Sequence, residues 1–180
     1  MFEILFLFLI IAAIPPTRGG ALLAIPAILF IAPGTWATWT GAPFVPSSDK
    51  KIKKMIELAG IKPGEKVYDL GCGDGRVVFA AAAAGGDATG FELSIPTFLL
   101  AWFRAYGKKS AKIRMKNFWA QDYRQADVIF CYLLTQTMQQ FRDRVWPQLK
   151  PGCRVVSHAF TMDGIPPDTK EEGVALYIKK

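Results

Sequence analysis

The segment covering residues 66–92, KVYDLGCGDGRVVFAAAAAGGDATGFE, restricts the fold of this 180-residue chain more than any other. A short run of β-forming residues ends at three glycines in five positions, Gly71, Gly73 and Gly75. Because glycine has no Cβ, such a loop tolerates positive φ and lets a ligand approach the backbone closely. The alanine-rich residues 76–84 then predict a helix, and the strand that follows ends in a glutamate. This order predicts an α/β fold with a ligand at the glycine loop.

Two acids flank the loop and indicate the kind of ligand. A dinucleotide site has the spacing G-x-G-x-x-G, but here Arg76 stands where the third glycine would be. Asp69 would disfavour a pyrophosphate and attract the ammonium group of an amino acid, and Glu92 can accept hydrogen bonds from two ribose hydroxyls. The pair predicts a nucleoside joined to an amino acid, as in S-adenosylmethionine; the alternative is a glycine-rich turn of another α/β domain. The predicted cofactor-binding residues around the loop are Asp69, Gly71, Cys72, Gly73, Gly75 and Glu92.

Further motifs along the sequence match one group of enzymes. They are GAPFVP at residues 41–46, DLGCGDGR and GFEL around the loop, AWFRA, and VIFCYLL followed by Met138. Through them the protein resembles class I S-adenosylmethionine-dependent methyltransferases. Within that class it resembles the membrane-anchored lysine methyltransferases of the ATP synthase c-subunit and the adenine nucleotide translocase, and their prokaryotic relatives. The resemblance implies a Rossmann-like sheet with helices on both faces, preceded by an N-terminal hydrophobic membrane segment.

The resemblance also implies roles for individual residues. In class I methyltransferases an acid or amide after the third strand binds the adenine amino group and the next residue supplies a backbone N–H; here these are Asn117 and Phe118. The family places Phe44 and Pro46 near the entrance for cofactor and substrate. It often has proline where this protein has Thr135, so the turn after the fourth strand departs from the family pattern.

The strand containing VIFCYLL carries a further candidate. Tyr132 lies near its carboxyl end, where the ligand crevice of an open α/β sheet is found. We predict that Tyr132 and Phe44 shape an apolar channel for methyl transfer; an ordinary core tyrosine is the alternative for Tyr132. Such a channel would lower the pKa of a lysine amine from about 10.4, so that no dedicated general base is needed.

The first forty residues are strongly apolar. The runs at 4–14 and 21–32 are separated by PPTRGG, and each spans roughly 17 Å as a helix, short of the ~30 Å hydrocarbon core. A signal peptide is disfavoured because no basic residue precedes the first run. A kinked span and a helical hairpin both remain open, and a soluble domain with an apolar arm is the weaker alternative. We therefore expect a membrane anchor at 1–40, an entrance segment at 41–49 and a methyltransferase domain at 50–180.

The net charge and the cysteine content limit which surfaces the protein can bind and which metal or disulfide sites it can form. The net charge of +7 favours a phosphate-rich surface, either anionic lipid or nucleic acid. Four lysines at 50–54 follow the apolar segment and predict a cytoplasmic catalytic domain, although a solvated helix face explains them too. Three cysteines without CxxC spacing predict neither a disulfide framework nor a zinc site, and one histidine builds no metal cluster. We expect that residue, His158, to fill the core or a strand end.

Two further expectations concern packing. In the helix after Glu92 the apolar residues recur at core spacing, which predicts that they pack inside; they are Phe98, Leu99, Trp102 and Phe103. After Phe160 there is room for one clear strand and one poor one, so the C-terminal part of the fold is predicted to be abridged.

The predicted function is lysine N-methylation of a membrane-associated protein. Methylation of a small-molecule or lipid amine is an alternative. Nucleic acid is a weaker alternative, because the sequence has neither the Asp/Asn-Pro-Pro-Tyr/Phe tetrad after VIFCYLL nor a Pro-Cys nucleophile. No sequence feature specifies an oligomeric state.

Overall fold

The computed structural model describes residues 45–180. The predicted anchor at 1–40 and Phe44 lie outside the described residues, so both stay predictions. Among the described residues, no helix is both long and apolar enough to cross a bilayer.

Helices and strands alternate along most of the described residues. The helices are α1 (Asp49–Ala59), α2 (Arg76–Ala83), α3 (Ile95–Ala105) and α4 (Thr135–Arg144). The strands are β1 (Lys66–Leu70), β2 (Asp87–Phe91), β3 (Ala111–Arg114), β4 (Val128–Cys131), β5 (Arg154–His158), β6 (Thr169–Glu171) and β7 (Val174–Ile178). Short 3-10 turns cover Phe118–Ala120 and Trp146–Gln148.

All seven strands form one sheet in the order β3-β2-β1-β4-β5-β7-β6. Strands β1 to β5 pair in parallel, and β7 inserts antiparallel between β5 and β6. The order reverses beside β1, which is the point where an open α/β sheet binds its ligand. The predicted α/β sheet is confirmed.

Alternate residues of the central strands pack in two separate hydrophobic cores, one on each face of the sheet. Val128 and Phe130 of β4 face a core shared with α1, α2 and α3, whereas Ile129 and Cys131 face a core shared with α4. All four residues of β4 are buried, as expected for a parallel strand covered on both faces. Helices on both faces are therefore confirmed, with three on one side and one on the other.

The packing predicted for α3 is largely wrong. Phe98 packs against the core together with Ala101 and Ala105. Leu99, Trp102 and Phe103, in contrast, are exposed. The reason is geometric: α3 lies against β3, an edge strand, and presents only one face to the sheet.

The end of the fold agrees only in part with the predicted abridgement. Between β5 and β6 the described residues form no helix, and β6 has only three residues. A short β6–β7 hairpin nevertheless completes the sheet, and Val174 of β7 pairs with His158 at the end of β5.

Candidate active site

Parallel pairing brings the predicted site residues to one edge of the sheet. Leu70 of β1 pairs with Phe91 of β2 on one side and with Cys131 of β4 on the other. The carboxyl ends of these strands therefore meet, and the residues at this edge are Asp69, Glu92, Asn117, Tyr132 and His158. Glu92 also donates its backbone N–H to the carbonyl of Arg114 at the end of β3, 3.1 Å away.

The glycine loop folds down onto the end of β2. The backbone N–H groups of Gly71 and Cys72 both donate to the Phe91 carbonyl, at 3.0 and 2.9 Å. At Gly71 φ is +80°, and a Cβ there would meet no atom within 4 Å, so the loop is open on this side. A ligand can therefore approach the backbone at the position where the sequence predicts it.

The Glu92 carboxylate is held by backbone amides. Its Oε2 accepts from the N–H of Gly73 at 3.0 Å, in the loop after β1. Its Oε1 accepts from the N–H groups of Leu93 and Ser94 at 2.8 and 2.7 Å. Three of about four lone-pair sites are thus used. One site on Oε2 is left for a ribose hydroxyl, rather than the two oxygens that the sequence suggested.

Asp69 is a buried carboxyl group in an acidic surrounding. Only 7% of the residue is exposed. Burial raises its pKa to about 7, and the nearby carboxylates of Glu92 and Asp74 add to the rise. A cation beside Asp69 would relieve both effects, since opposite charge favours the ionised form. The site is therefore suited to an ammonium group.

A second buried acid, Asp74, was not singled out from the sequence. Arg76 binds it with Nε and an Nη at 2.9 and 2.8 Å, and Arg104 of α3 adds a contact at 2.5 Å. The hydrogen bonds from Arg76 lead in lowering the pKa of Asp74 to about 2. Another Nη of Arg76 donates to the Ser47 carbonyl at 2.9 Å. Arg76 thereby joins the glycine loop to the segment that precedes α1.

The two residues predicted to bind adenine lie after β3. Asn117 Oδ1 accepts from the Trp119 N–H at 2.9 Å and so begins the 3-10 turn. Phe118 is buried, and its carbonyl accepts from the Tyr123 hydroxyl at 2.6 Å. Asn117 is exposed beside the crevice and keeps its amide NH2 and one Oδ1 lone pair for a ligand.

An aromatic cluster stands after β4 and β5. The half-buried Tyr132 ring lies 4.2 Å from His158 and 6.2 Å from Phe160, measured between centroids. His158 Nδ1 is 3.2 Å from Ser47 Oγ. Burial, with a smaller effect from Lys51, lowers the pKa of His158, so its ring is neutral at neutral pH. His158 does end a strand, but its contacts with Tyr132 and Ser47 were not foreseen.

The cysteines among the described residues are all buried and free. Burial raises the pKa of the Cys72 thiol well above its usual value, followed by the effect of Asp69. The thiol therefore stays protonated and is a poor nucleophile, so Cys72 acts as a small residue that fits the loop. Its Cβ and Sγ would lie 2.6 Å from a Cβ added at Gly90, so β2 requires glycine there.

Comparison with known proteins places this geometry in context. The model of the family described as the ANTKMT methyltransferase domain matches residues 69–169, which include every predicted site residue except Phe44. A protein-lysine N-methyltransferase of Saccharolobus islandicus is 36% identical over 127 residues, 68% of this chain and 79% of that protein. The ATP synthase c-subunit lysine N-methyltransferase of Rattus norvegicus is 32% identical over 162 residues, 87% of this chain and 74% of that protein.

A solved structure shares the fold. It is described as an RNA methyltransferase from Salinibacter ruber in complex with S-adenosyl-L-homocysteine. It superposes with a TM-score of 0.69 at 32% identity, and the match covers 75% of this chain and 94% of the other.

Proposed function

Because this protein belongs to the ANTKMT methyltransferase family and is an S-adenosylmethionine-dependent methyltransferase, we propose that it methylates the side-chain amine of a lysine in a protein. The observation that carries the proposal is that Asp69 and Glu92, on either side of the glycine loop, lie at the same sheet edge as the cluster of Tyr132, His158 and Phe160. Lysine methyltransferases among the relatives support the choice of acceptor.

The residues at the sheet edge fit the cofactor. Asp69, buried and with a raised pKa, would hold the ammonium of its amino-acid end. Glu92 Oε2 would accept from a ribose hydroxyl, and Asn117 would contact the adenine. The open backbone at Gly71 leaves space for the ligand between these groups. When bound, S-adenosylmethionine supplies an electrophilic methyl group on a sulfonium.

The acceptor must offer a lone pair in line with that methyl group. A lysine amine of pKa about 10.4 is less than about 0.1% neutral at pH 7 in water. The aromatic cluster of Tyr132, His158 and Phe160 would disfavour the charged form and exclude water, which raises the neutral fraction. The lysine would lose its proton to solvent before it enters the cluster. Its nitrogen lone pair would then form the new N–C bond as the S–C bond breaks and that bond's electron pair goes to sulfur.

The location of the substrate follows from the first forty residues. Relatives named for the ATP synthase c-subunit support a membrane protein as acceptor. The apolar segment at 1–40 would keep the enzyme at the bilayer, and the basic residues 50–54 would place the catalytic domain on the cytoplasmic side. The 41–49 segment, with Phe44, would then connect the anchor to the crevice.

The test is to label membranes. Membranes of a host that lacks the gene are incubated with the purified full-length protein and methyl-labelled S-adenosylmethionine, and the label is traced to protein, RNA and lipid. We expect a labelled protein band with methyl-lysine after hydrolysis, and none with Glu92→Ala. Label in lipid alone would show that the acceptor is a lipid amine and would refute the proposal.

RNA methylation is the second candidate. It is favoured by the 32% identity to a protein described as an RNA methyltransferase, and by the net charge of +7. If RNA is the acceptor, ribonuclease treatment should remove the methyl label in the same experiment. The several lysine methyltransferases among the relatives make protein the stronger candidate.

A further inference from the structure

The outer side of α3 is an apolar stripe that faces solvent. Leu99, Trp102, Phe103 and Tyr106 follow one another at helical spacing, and they are 38%, 47%, 67% and 87% exposed. Trp102 and Phe103 contact each other edge to face, with ring centroids 5.2 Å apart. Residues spaced i, i+3, i+4 and i+7 lie on one side of a helix, so this is one continuous surface.

Folding of residues 45–180 does not need this surface. The opposite side of α3 already supplies the packing, through Phe98, Ala101 and Ala105. The helix covers β3, at the edge of the sheet, so the stripe points away from both cores. Exposed apolar patches of this kind mark contact sites for proteins or membranes.

The sequence segment that contains the stripe carries charges of a single sign. Between Glu92 and Asp122 the sequence contains no acid and six basic residues, which are Arg104, Lys108, Lys109, Lys112, Arg114 and Lys116. Arg104 and Lys112 pair with Asp74 and Asp87. The other four form no ion pair with any acid in the part of the protein that the structure describes.

The lysines nearest the stripe are in the turn after α3. Lys108 reaches back to the Arg104 carbonyl at 2.7 Å and lies over the Phe79 ring at 5.3 Å. Lys109 is exposed beside it. Exposed Leu, Trp, Phe and Tyr flanked by lysines without acids is the composition of a surface that rests in an anionic lipid interface.

We propose that the outer side of α3, with Lys108 and Lys109, lies in the headgroup layer of an anionic bilayer. This contact is made by the folded domain and is separate from the predicted anchor at 1–40. α3 begins three residues after Glu92 and ends shortly before β3, so the stripe extends from near the cofactor edge of the sheet toward the opposite edge, where Lys108 and Lys109 lie. The proposal concerns where the domain rests and does not depend on which group is methylated.

The experiment measures the environment of Trp102 in the full-length protein. The protein is reconstituted into phosphatidylcholine vesicles with or without phosphatidylglycerol, and fluorescence quenching by bromine-labelled lipid is compared for wild type and Trp102→Phe. We expect quenching to fall in Trp102→Phe because that indole is in the interface. Trp146→Phe is the matched control: Trp146 packs against Tyr177 on the other face, and its replacement leaves the quenching by lipid unchanged.

Charge reversal at Lys108 and Lys109 tests whether these lysines contribute to the contact with anionic lipid. Lys108→Glu/Lys109→Glu should weaken the contact of α3 with phosphatidylglycerol bilayers by about 30-fold, since each lysine near the surface contributes about fivefold, and the lipid quenching of Trp102 should fall accordingly. Lys170→Glu/Lys180→Glu changes the charge equally but alters β6, at the opposite edge of the sheet, and the last residue of the sequence, and should leave the signal unchanged. Calorimetric binding of S-adenosylmethionine, measured in parallel, reports separately on the site.

Several results would overturn the proposal. Equal quenching in wild type and Trp102→Phe would place the stripe outside the lipid. Protection of Trp102 from acrylamide without vesicles would mean that the apolar segment at 1–40 or a second copy covers the stripe; dependence of that protection on protein concentration identifies the copy. Displacement of Trp102 from lipid by RNA would assign the basic surface to nucleic acid.

Discussion

The backbone N–H of Gly73 donates to Glu92 Oε2 across 3.0 Å and joins the loop after β1 to the acid after β2. The other oxygen accepts from Leu93 and Ser94, so both ends of the carboxylate face N–H donors. Backbone amides thus fix the position of the acid that would bind the ribose. Such preorganisation reduces the ordering cost of binding.

Replacement of Glu92 by glutamine should therefore be severe although the two side chains have the same shape. In either orientation the new NH2 group meets a backbone N–H, so the side chain must turn away from these donors and the acceptor for the ribose hydroxyl is displaced. A cost of about 2–3 kcal/mol corresponds to cofactor binding weaker by about 30- to 150-fold. Titration calorimetry with S-adenosylmethionine measures this. Glu57→Gln, an exposed acid of α1, is the control, and unchanged affinity of Glu92→Gln would contradict the site assignment.

The raised pKa of Asp69 predicts a pH dependence of binding. Burial brings that pKa to about 7, so the free enzyme gains the carboxylate form as the pH rises through 7. The ammonium of the cofactor would bind that form. We expect affinity to increase between pH 6 and pH 8, and the increase to be absent in Asp69→Asn. A wild-type affinity that is flat over this range would remove Asp69 from the role proposed for it.

The raised pKa of Asp69 has the opposite effect on stability: as the pH rises toward about 7, the free energy of unfolding decreases whereas cofactor affinity increases. The folded protein retains a proton on Asp69 up to about pH 7, whereas the unfolded state loses it near pH 4. Between these values the unfolded state binds fewer protons, so the free energy of unfolding falls as pH rises. Asp69→Asn should thus be more stable than wild type at pH 8, by about 1–3 kcal/mol, while losing cofactor affinity. Denaturant titrations at pH 5 and pH 8 test the difference.

Gly75→Ala should destabilise the fold through two separate effects. At this residue φ is +84°, and a Cβ would lie 2.7 Å from the Phe79 ring. Gly64→Ala is a matched control, because φ there is +81° with no atom within 4 Å. We expect about 1 kcal/mol for Gly64→Ala from the backbone alone and about 2–4 kcal/mol for Gly75→Ala. Equal costs in chemical denaturation would show that Phe79 moves aside freely.

The central part of the fold could be predicted because its signals are local. Strand, glycine loop and helix follow each other within residues 66–84, and β-propensity, glycine content and helix propensity change at their boundaries. Parallel order then places Asp69 and Glu92 at one edge. The contact between Asp74 and Arg104 could not be found in this way, since thirty residues separate the partners. Nor does sequence alone show how many lone pairs of Glu92 the backbone occupies.

The mistake at α3 has a physical cause as well. An apolar stripe at helical spacing indicates that a side of a helix avoids water, but not what it contacts. In α3 both sides are apolar, so periodicity could not tell Ala101, in the core, from Phe103, in solvent. For a similar reason the sequence predicts only that His158 fills the core or a strand end: its contact with Ser47 spans 111 residues.

Tyr132 tests whether the aromatic cluster acts on the acceptor. If the ring excludes water and lowers the pKa of the acceptor amine, Tyr132→Phe should retain most activity and Tyr132→Ala should lose at least about tenfold in kcat. Cofactor affinity should be similar in both, because Tyr132 follows β4 and not the glycine loop. The pH profile of kcat/KM separates this role from a structural one: in Tyr132→Ala the rise in rate should shift to higher pH, since the amine is better solvated. A profile that keeps its midpoint, or a Tyr132→Phe variant as slow as Tyr132→Ala, would show that the hydroxyl or the packing, and not the apolar wall, is what matters.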